Sequence, residues 1–226
     1  MTTILGPNRR RFLMQSALAG TALFVPRRHA WAAGPSDPVI ETTSGKIRGT
    51  AVDRISAFKG ISYGASTAGP NRFLPPQNPA PWGGVREALD WAGHAPQAFA
   101  GQRRSEVAAL SGVPDKVPVS EDCLTLNQWT PGHDAGKRPV MVWFHGGAFS
   151  YGSANTPRTA GTNLARRGDV VVVTVNHRLN IFGFLDLAEF GGQEFTHSGN
   201  AGVLDLVAAL RWVHENVAKF GGTPAM

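Results

Sequence analysis

The stretch with the strongest capacity for chemistry is His145-Gly146-Gly147-Ala148, which follows the uncharged apolar run Pro139–Phe144 without a break. Adjacent glycines allow backbone conformations that side chains forbid. Successive N–H groups are then free to face something other than a neighbouring strand. Such a nest suits an anion, or a carbonyl oxygen that becomes one. Two glycines alone describe a tight turn without chemistry equally well. A second stretch, Gly60-Ile61-Ser62-Tyr63-Gly64, has the Gly-x-Ser-x-Gly spacing of a nucleophile elbow. An elbow needs a buried parallel strand before the serine and a helix after it. Ser62 has Ser56-Ala57-Phe58-Lys59 before it and a loop of Gly, Pro and Asn after it, so it is not read as a nucleophile. The single cysteine, Cys123, lies in the alternating run Glu121-Asp122-Cys123-Leu124-Thr125-Leu126 and reads as a small buried hydrophobe. None of the seven histidines is spaced to share a metal with another, so no metal site is expected.

These groups need elements to hold them. Pro139–Phe144 and Asp169–Asn176 read as strands buried on both faces, because their apolar runs are continuous rather than alternating. Cys123–Trp129 reads as a further strand and Thr162–Arg167 as a short helix. From about Ala201 to Phe220, Val203, Leu206, Val207, Leu210, Val213 and Val217 recur at helical spacing, and Gly221-Gly222 and Pro224 end the helix. Strand, helix, buried strand and long helix together predict an α/β sheet with covered faces. Upstream, Val39–Thr43 and Lys46–Val52 flank Ser44-Gly45 as a hairpin, and Ile55–Tyr63 continues in extended form. Residues 64–83 and 96–120 are long loops, the second with a helical turn or two around Ser105–Leu110.

The chain has 226 residues, 42% of them hydrophobic, enough for one globular domain with a sizeable core. Its net charge of +6 is unevenly placed. Residues 1–32 hold Arg9, Arg10, Arg11, Arg27 and Arg28 and no acidic residue, which leaves 17 basic against 16 acidic residues elsewhere. A nucleic-acid partner therefore has no support. Arg9-Arg10-Arg11-Phe12-Leu13, the apolar stretch to Val25 and the small residues around Ala32 read as a twin-arginine signal peptide, residues 1–32, cleaved after Ala32. The expectation is export to a bacterial periplasm or beyond, with no membrane partner once the signal is removed.

The ordered motifs of residues 39–224 resemble the type-B carboxylesterases, the family of bacterial para-nitrobenzyl esterases, animal carboxylesterases and cholinesterases. Glu121-Asp122-Cys123-Leu124-Thr125-Leu126-Asn127-Gln128-Trp129-Thr130-Pro131 is similar to a family signature, with Gln128 where an aliphatic residue is usual. Phe58-Lys59-Gly60-Ile61-Ser62-Tyr63 resembles the Phe-x-Gly-Ile-Pro-Tyr segment, with Ser62 in place of Pro. Arg72-Phe73, Pro81-Trp82, Asn176-His177-Arg178-Leu179, Gly199-Asn200, and Ala209-Leu210-Arg211-Trp212-Val213 through to Phe220-Gly221-Gly222 follow in family order. His177 stands where the family has Tyr.

The resemblance implies an α/β-hydrolase fold, here the N-terminal part (residues 33–226) of a mostly parallel sheet with flanking helices. It implies a serine carboxylic-ester hydrolase acting on small-molecule esters without a cofactor. By position against the family motif, Gly147 and Ala148 would supply the oxyanion-hole N–H groups and Gly146 would allow the turn. The family's further strand and Gly-x-Ser-x-Gly come after the long helix. Nucleophile, acid and base thus have no counterpart among these 226 residues, and the chain is expected to be inactive by itself. The alternatives are an esterase-like binding module without catalysis, or an inactive truncated gene product. The resemblance also implies two structural ion pairs, Arg72 with Glu121 and Arg178 with Asp205. The family disulfide to Cys123 would need a cysteine at Ala95 and is absent. No tryptophan falls between 96 and 120, where cholinesterases place their choline-stacking ring, which disfavours a quaternary-ammonium substrate.

Overall fold

A computed structural model describes residues 37–97, 112–114 and 116–224. The signal segment read at residues 1–32 and the helical turns read around Ser105–Leu110 lie outside the described residues. Two sheets are present. The smaller joins β1 (Val39–Glu41), β2 (Lys46–Arg48) and β5 (Val85–Glu87). β1 and β2 form the expected hairpin, whose turn is closed by Thr42 accepting from and donating to the Ser44-Gly45 backbone. The larger sheet runs in the order β3 (Thr50–Val52), β4 (Ile55–Ser62), β6 (Thr125–Thr130), β8 (Val171–Val175) and β7 (Val140–Phe144).

This portion of the sheet is mixed rather than mostly parallel. Only β7 and β8 run parallel, while β3–β4, β4–β6 and β6–β8 are antiparallel. Parallel neighbours need a crossover, and helix α1 (Thr162–Gly168) provides it between β7 and β8. Helix α2 (Asn180–Phe184) and helix α3 (Ala201–Asn216) follow, and a 3-10 turn, Val217–Phe220, ends at Gly221 with φ 77°.

Alternation along β8 explains the layers. Val171, Val173 and Val175 face the larger core with Phe58, Ile61, Leu126 and, from α3, Ala209, Trp212 and Val213. Val172 faces the other way, with Trp129, Ile55 and Ala165 of α1. Helices thus cover both faces, as the continuous valine run requires.

Two expectations about faces are corrected. β7 is only half-buried, and Met141 is 49% exposed. The reason is its position at the edge: β8 pairs with one side, and on the other a single parallel bridge, Arg138 with Gly222, is the only rung among the described residues. Helix α3 turns a different face inward from the one its valines suggested. It buries Asp205, Ala209, Trp212, Val213 and Asn216, while Val203 and Val207 are 42% and 47% exposed. Polar partners decide this rotation. Asp205 meets Arg178, and Asn216 accepts from the Thr43 N–H at 2.8 Å and donates to its hydroxyl at 3.2 Å.

Candidate functional site

β7 stops at Phe144, and the chain must reach residues 152–156, which are buried. That second anchor is held by a network of amides. Asn176 Oδ1 accepts from Ser153 Oγ at 3.0 Å and from the Ala154 N–H at 2.8 Å. Asn127 donates to the Ala154 carbonyl and to Asn155 Oδ1, both at 3.2 Å, and its own Oδ1 accepts from the Gly60 N–H at 2.9 Å. Asn127 and Asn176 come from the signature strand β6 and the end of β8. Buried amides this fully paired fix a unique geometry.

Between the two anchors, residues 145–151 form a tight turn. Gly147, Ala148 and Phe149 have φ of 124°, 51° and 60° in succession. The Gly147 carbonyl accepts from the N–H groups of Ser150 (2.9 Å) and Tyr151 (3.2 Å), and Phe149 O accepts from the Asn180 N–H at 2.7 Å. The N–H groups of Gly147 and Ala148 have no partner among the described residues. Glycine is required at 147, where a Cβ would run into the Tyr151 carbonyl. Gly146 has open space around it. Ala148 accepts a left-handed conformation that costs a side-chain-bearing residue roughly 1–2 kcal/mol, so the surrounding turn must hold it there.

His145 and His177 stack beneath this turn, ring centroids 4.6 Å apart and planes 12° from parallel. Each Nδ1 donates to a carbonyl, His145 to Gly146 at 3.1 Å and His177 to Arg178 at 2.8 Å. A carbonyl can only accept, which puts the proton on Nδ1 in both rings. Burial, and then the neighbouring His177, pushes the His145 imidazole down to about 4, and burial lowers His177 as well. Both rings are therefore neutral at pH 7 and act as packing beneath the turn.

The remaining candidates fall elsewhere. Ser62 ends β4, opposite Thr125 in an antiparallel pair, and only a 3-10 turn (Gly69–Asn71) follows, so the elbow geometry is absent there. Cys123 is fully buried, and that burial raises its thiol far above the ordinary value, consistent with a core residue. Among the described residues no group of His, Cys, Asp and Glu could hold a metal. Both expected ion pairs form. Arg72 meets Glu121 through two contacts of 2.6 Å at the surface. Arg178 and Asp205 pair at 2.9 and 2.7 Å with almost no exposure, and the Arg178 N–H and the Leu74 carbonyl satisfy what remains. Residues the sequence did not flag are Gln97, which binds Gly152 on both sides of its backbone, and Asn180, which joins Phe149 to Pro96. No local spacing announces them, since their partners are main-chain groups remote in sequence.

This arrangement, a strand end with two N–H groups that have no partner among the described residues, held by a polar frame, can stabilise negative charge on an oxygen without rearranging. Comparison with known proteins gives it a context. The model of the carboxylesterase family matches residues 36–226. The para-nitrobenzyl esterase of Bacillus subtilis (strain 168) is 40% identical over 187 residues, covering 82% of this chain and 36% of that protein. Carboxylesterase 3 of Homo sapiens is 42% identical over 215 residues, covering 91% and 36%. Among solved structures, a Geobacillus stearothermophilus carboxylesterase superposes with a TM-score of 0.73 at 46% identity, over 82% of this chain and 36% of that one. The carboxylesterases it superposes on have the α/β-hydrolase fold, and the chain spans about a third of their length. On these matches the chain belongs to the carboxylesterase family.

Proposed function

We propose that this chain supplies the oxyanion-binding part of an exported serine carboxylic-ester hydrolase. The carrying observation is the pair of N–H groups at Gly147 and Ala148, without a partner among the described residues, just past the end of β7 in a member of the carboxylesterase family. In ester hydrolysis a serine Oγ attacks the acyl carbon and the carbonyl π electrons move onto oxygen. Donors already in place there stabilise the oxyanion, and losing one costs on the order of a hundred- to a thousandfold in rate. The oxyanion then collapses, the alkoxide leaves with a proton, and water releases the acyl-enzyme. Gly147 and Ala148 take the oxyanion role; the conformational freedom expected of Gly146 is used at Gly147 instead, where φ is 124° and a Cβ would meet the Tyr151 carbonyl. No residue of this chain takes the nucleophile, acid or base role in this reading, so the chain alone is expected not to turn over. The substrate is a small-molecule ester and no cofactor takes part.

The test has two arms. Residues 33–226 incubated with p-nitrophenyl acetate are expected to show no turnover, and hydrolysis abolished by Ser62→Ala would overturn the assignment. A chimera in which residues 36–224 replace the matching third of the Bacillus subtilis esterase is expected to hydrolyse the ester. A folded but inactive chimera would favour a binding module instead. For export, Arg9→Lys with Arg10→Lys is expected to hold the product inside the cell, and unchanged appearance in the periplasm would remove the twin-arginine reading.

A further inference from the structure

We infer that Gln97 is a positioning residue for the oxyanion turn, acting through the backbone of Gly152. The inference rests on the oxyanion reading of Gly147 and Ala148 and adds what holds them in shape. Gln97 Oε1 accepts from the Gly152 N–H at 2.9 Å, and its Nε2 donates to the Gly152 carbonyl at 3.0 Å. One side-chain amide thus grips both main-chain groups of one residue, as a neighbouring strand would. The two contacts fix the amide's orientation, because only Oε1 can accept and only Nε2 can donate.

The grip matters because of what Gly152 touches. Its φ is 123°, and a Cβ there would collide with the His145 ring and the Gly146 carbonyl. Gly152 therefore packs against the first two residues of the turn, and its placement sets the space into which His145 and Gly146 fold. Gln97 is itself anchored. Its Nε2 also lies 2.9 Å from His94 Nδ1, and His94 is bridged to Val119 through main-chain bonds of 3.0 Å from its N–H to Pro118 O and 2.9 Å from the Ser120 N–H to its carbonyl. The neighbouring Pro96 carbonyl accepts from Asn180 Nδ2 at 2.7 Å, while the Asn180 N–H holds Phe149. The turn is thus gripped at its far end by Gln97 and in its middle by Asn180, and both grips lead back to residues 94–97.

Hydrogen exchange on the whole 226-residue chain, read by mass spectrometry at single residues, tests the grip. In Gln97→Leu, exchange at Gly152 and across 145–151 is expected to rise about tenfold, the equivalent of one or two lost hydrogen bonds, with Val171–Val175 unchanged. Gln97→Glu keeps the acceptor for the Gly152 N–H and is expected to show a smaller rise. Unchanged exchange at 145–152, or an equal rise in Val171–Val175, would overturn the inference, the latter because it marks a general loss of stability. In the ester-hydrolysing chimera, Gln97→Leu is expected to lower kcat about tenfold with KM within about twofold, and Gln97→Glu to restore part of it. A loosened turn with unchanged kcat would leave the grip standing and sink the oxyanion reading; an unmoved turn would sink the grip alone.

Discussion

His145 shows how much of this site is packing rather than proton chemistry. Stacked on His177 and half-buried, it is neutral down to about pH 4, whereas an unfolded chain binds that proton near 6.5. The folded state therefore holds fewer protons than the unfolded one between those values, and stability falls as pH drops from 6.5 towards 4. Nuclear magnetic resonance titration of the His145 ring should find an inflection near 4, and one near 6.5 would contradict the stacked, half-buried placement. Gln128 is the opposite case, a polar residue with nothing to do. It is fully buried on β6, opposite Phe58 and Val173 of the apolar core, and neither its Oε1 nor its Nε2 has a partner among the described residues. A buried unpaired amide costs about 1–3 kcal/mol, so Gln128→Leu is expected to raise the urea midpoint by the equivalent of about 1–2 kcal/mol; a lower midpoint would show that the amide is satisfied. The resemblance to the family signature marked this position as a departure from an aliphatic residue, but only the packing shows that the departure is a cost.

At the scale of elements, legibility followed the range of the interactions. The valine run of β8 and the apolar run of β7 read as strands because a local pattern specifies them. So did α1 and the long helix, whose end at Gly221 needed only a left-handed residue. The inward face of α3 did not, because Asp205 and Asn216 owe their burial to Arg178 and Thr43, which lie 27 and 173 residues away. The site divides the same way. The break in the chain at His145-Gly146-Gly147-Ala148 was legible as a turn from its glycines, while the oxyanion role given to it came from its place in the ordered family motifs rather than from the glycines themselves. Gln97, Asn180 and Gly152 were not, since a side chain that reads a distant main chain leaves no periodic trace.

At the scale of the whole molecule two apolar surfaces stand open among the described residues. β7 has no strand partner there beyond β8 and the Arg138–Gly222 bridge, its residues Val140–Phe144 carry no charge, and α3 presents Val203 and Val207 outward. An uncharged open edge invites further strand pairing. The purified chain is accordingly expected to self-associate at micromolar concentration and to bind an apolar dye. Met141→Lys with Val207→Glu should reduce both in sedimentation and fluorescence, and a dye-silent wild-type monomer would contradict the expectation. The central claim belongs to two N–H groups, and one of them can be removed alone. L-lactic acid in place of Ala148, in the ester-hydrolysing chimera, turns that amide into an ester and deletes the donor while keeping the methyl group. A fall in kcat of on the order of a hundred- to a thousandfold with little change in KM is the predicted result, and an unchanged kcat would show that Ala148 does not serve the oxyanion.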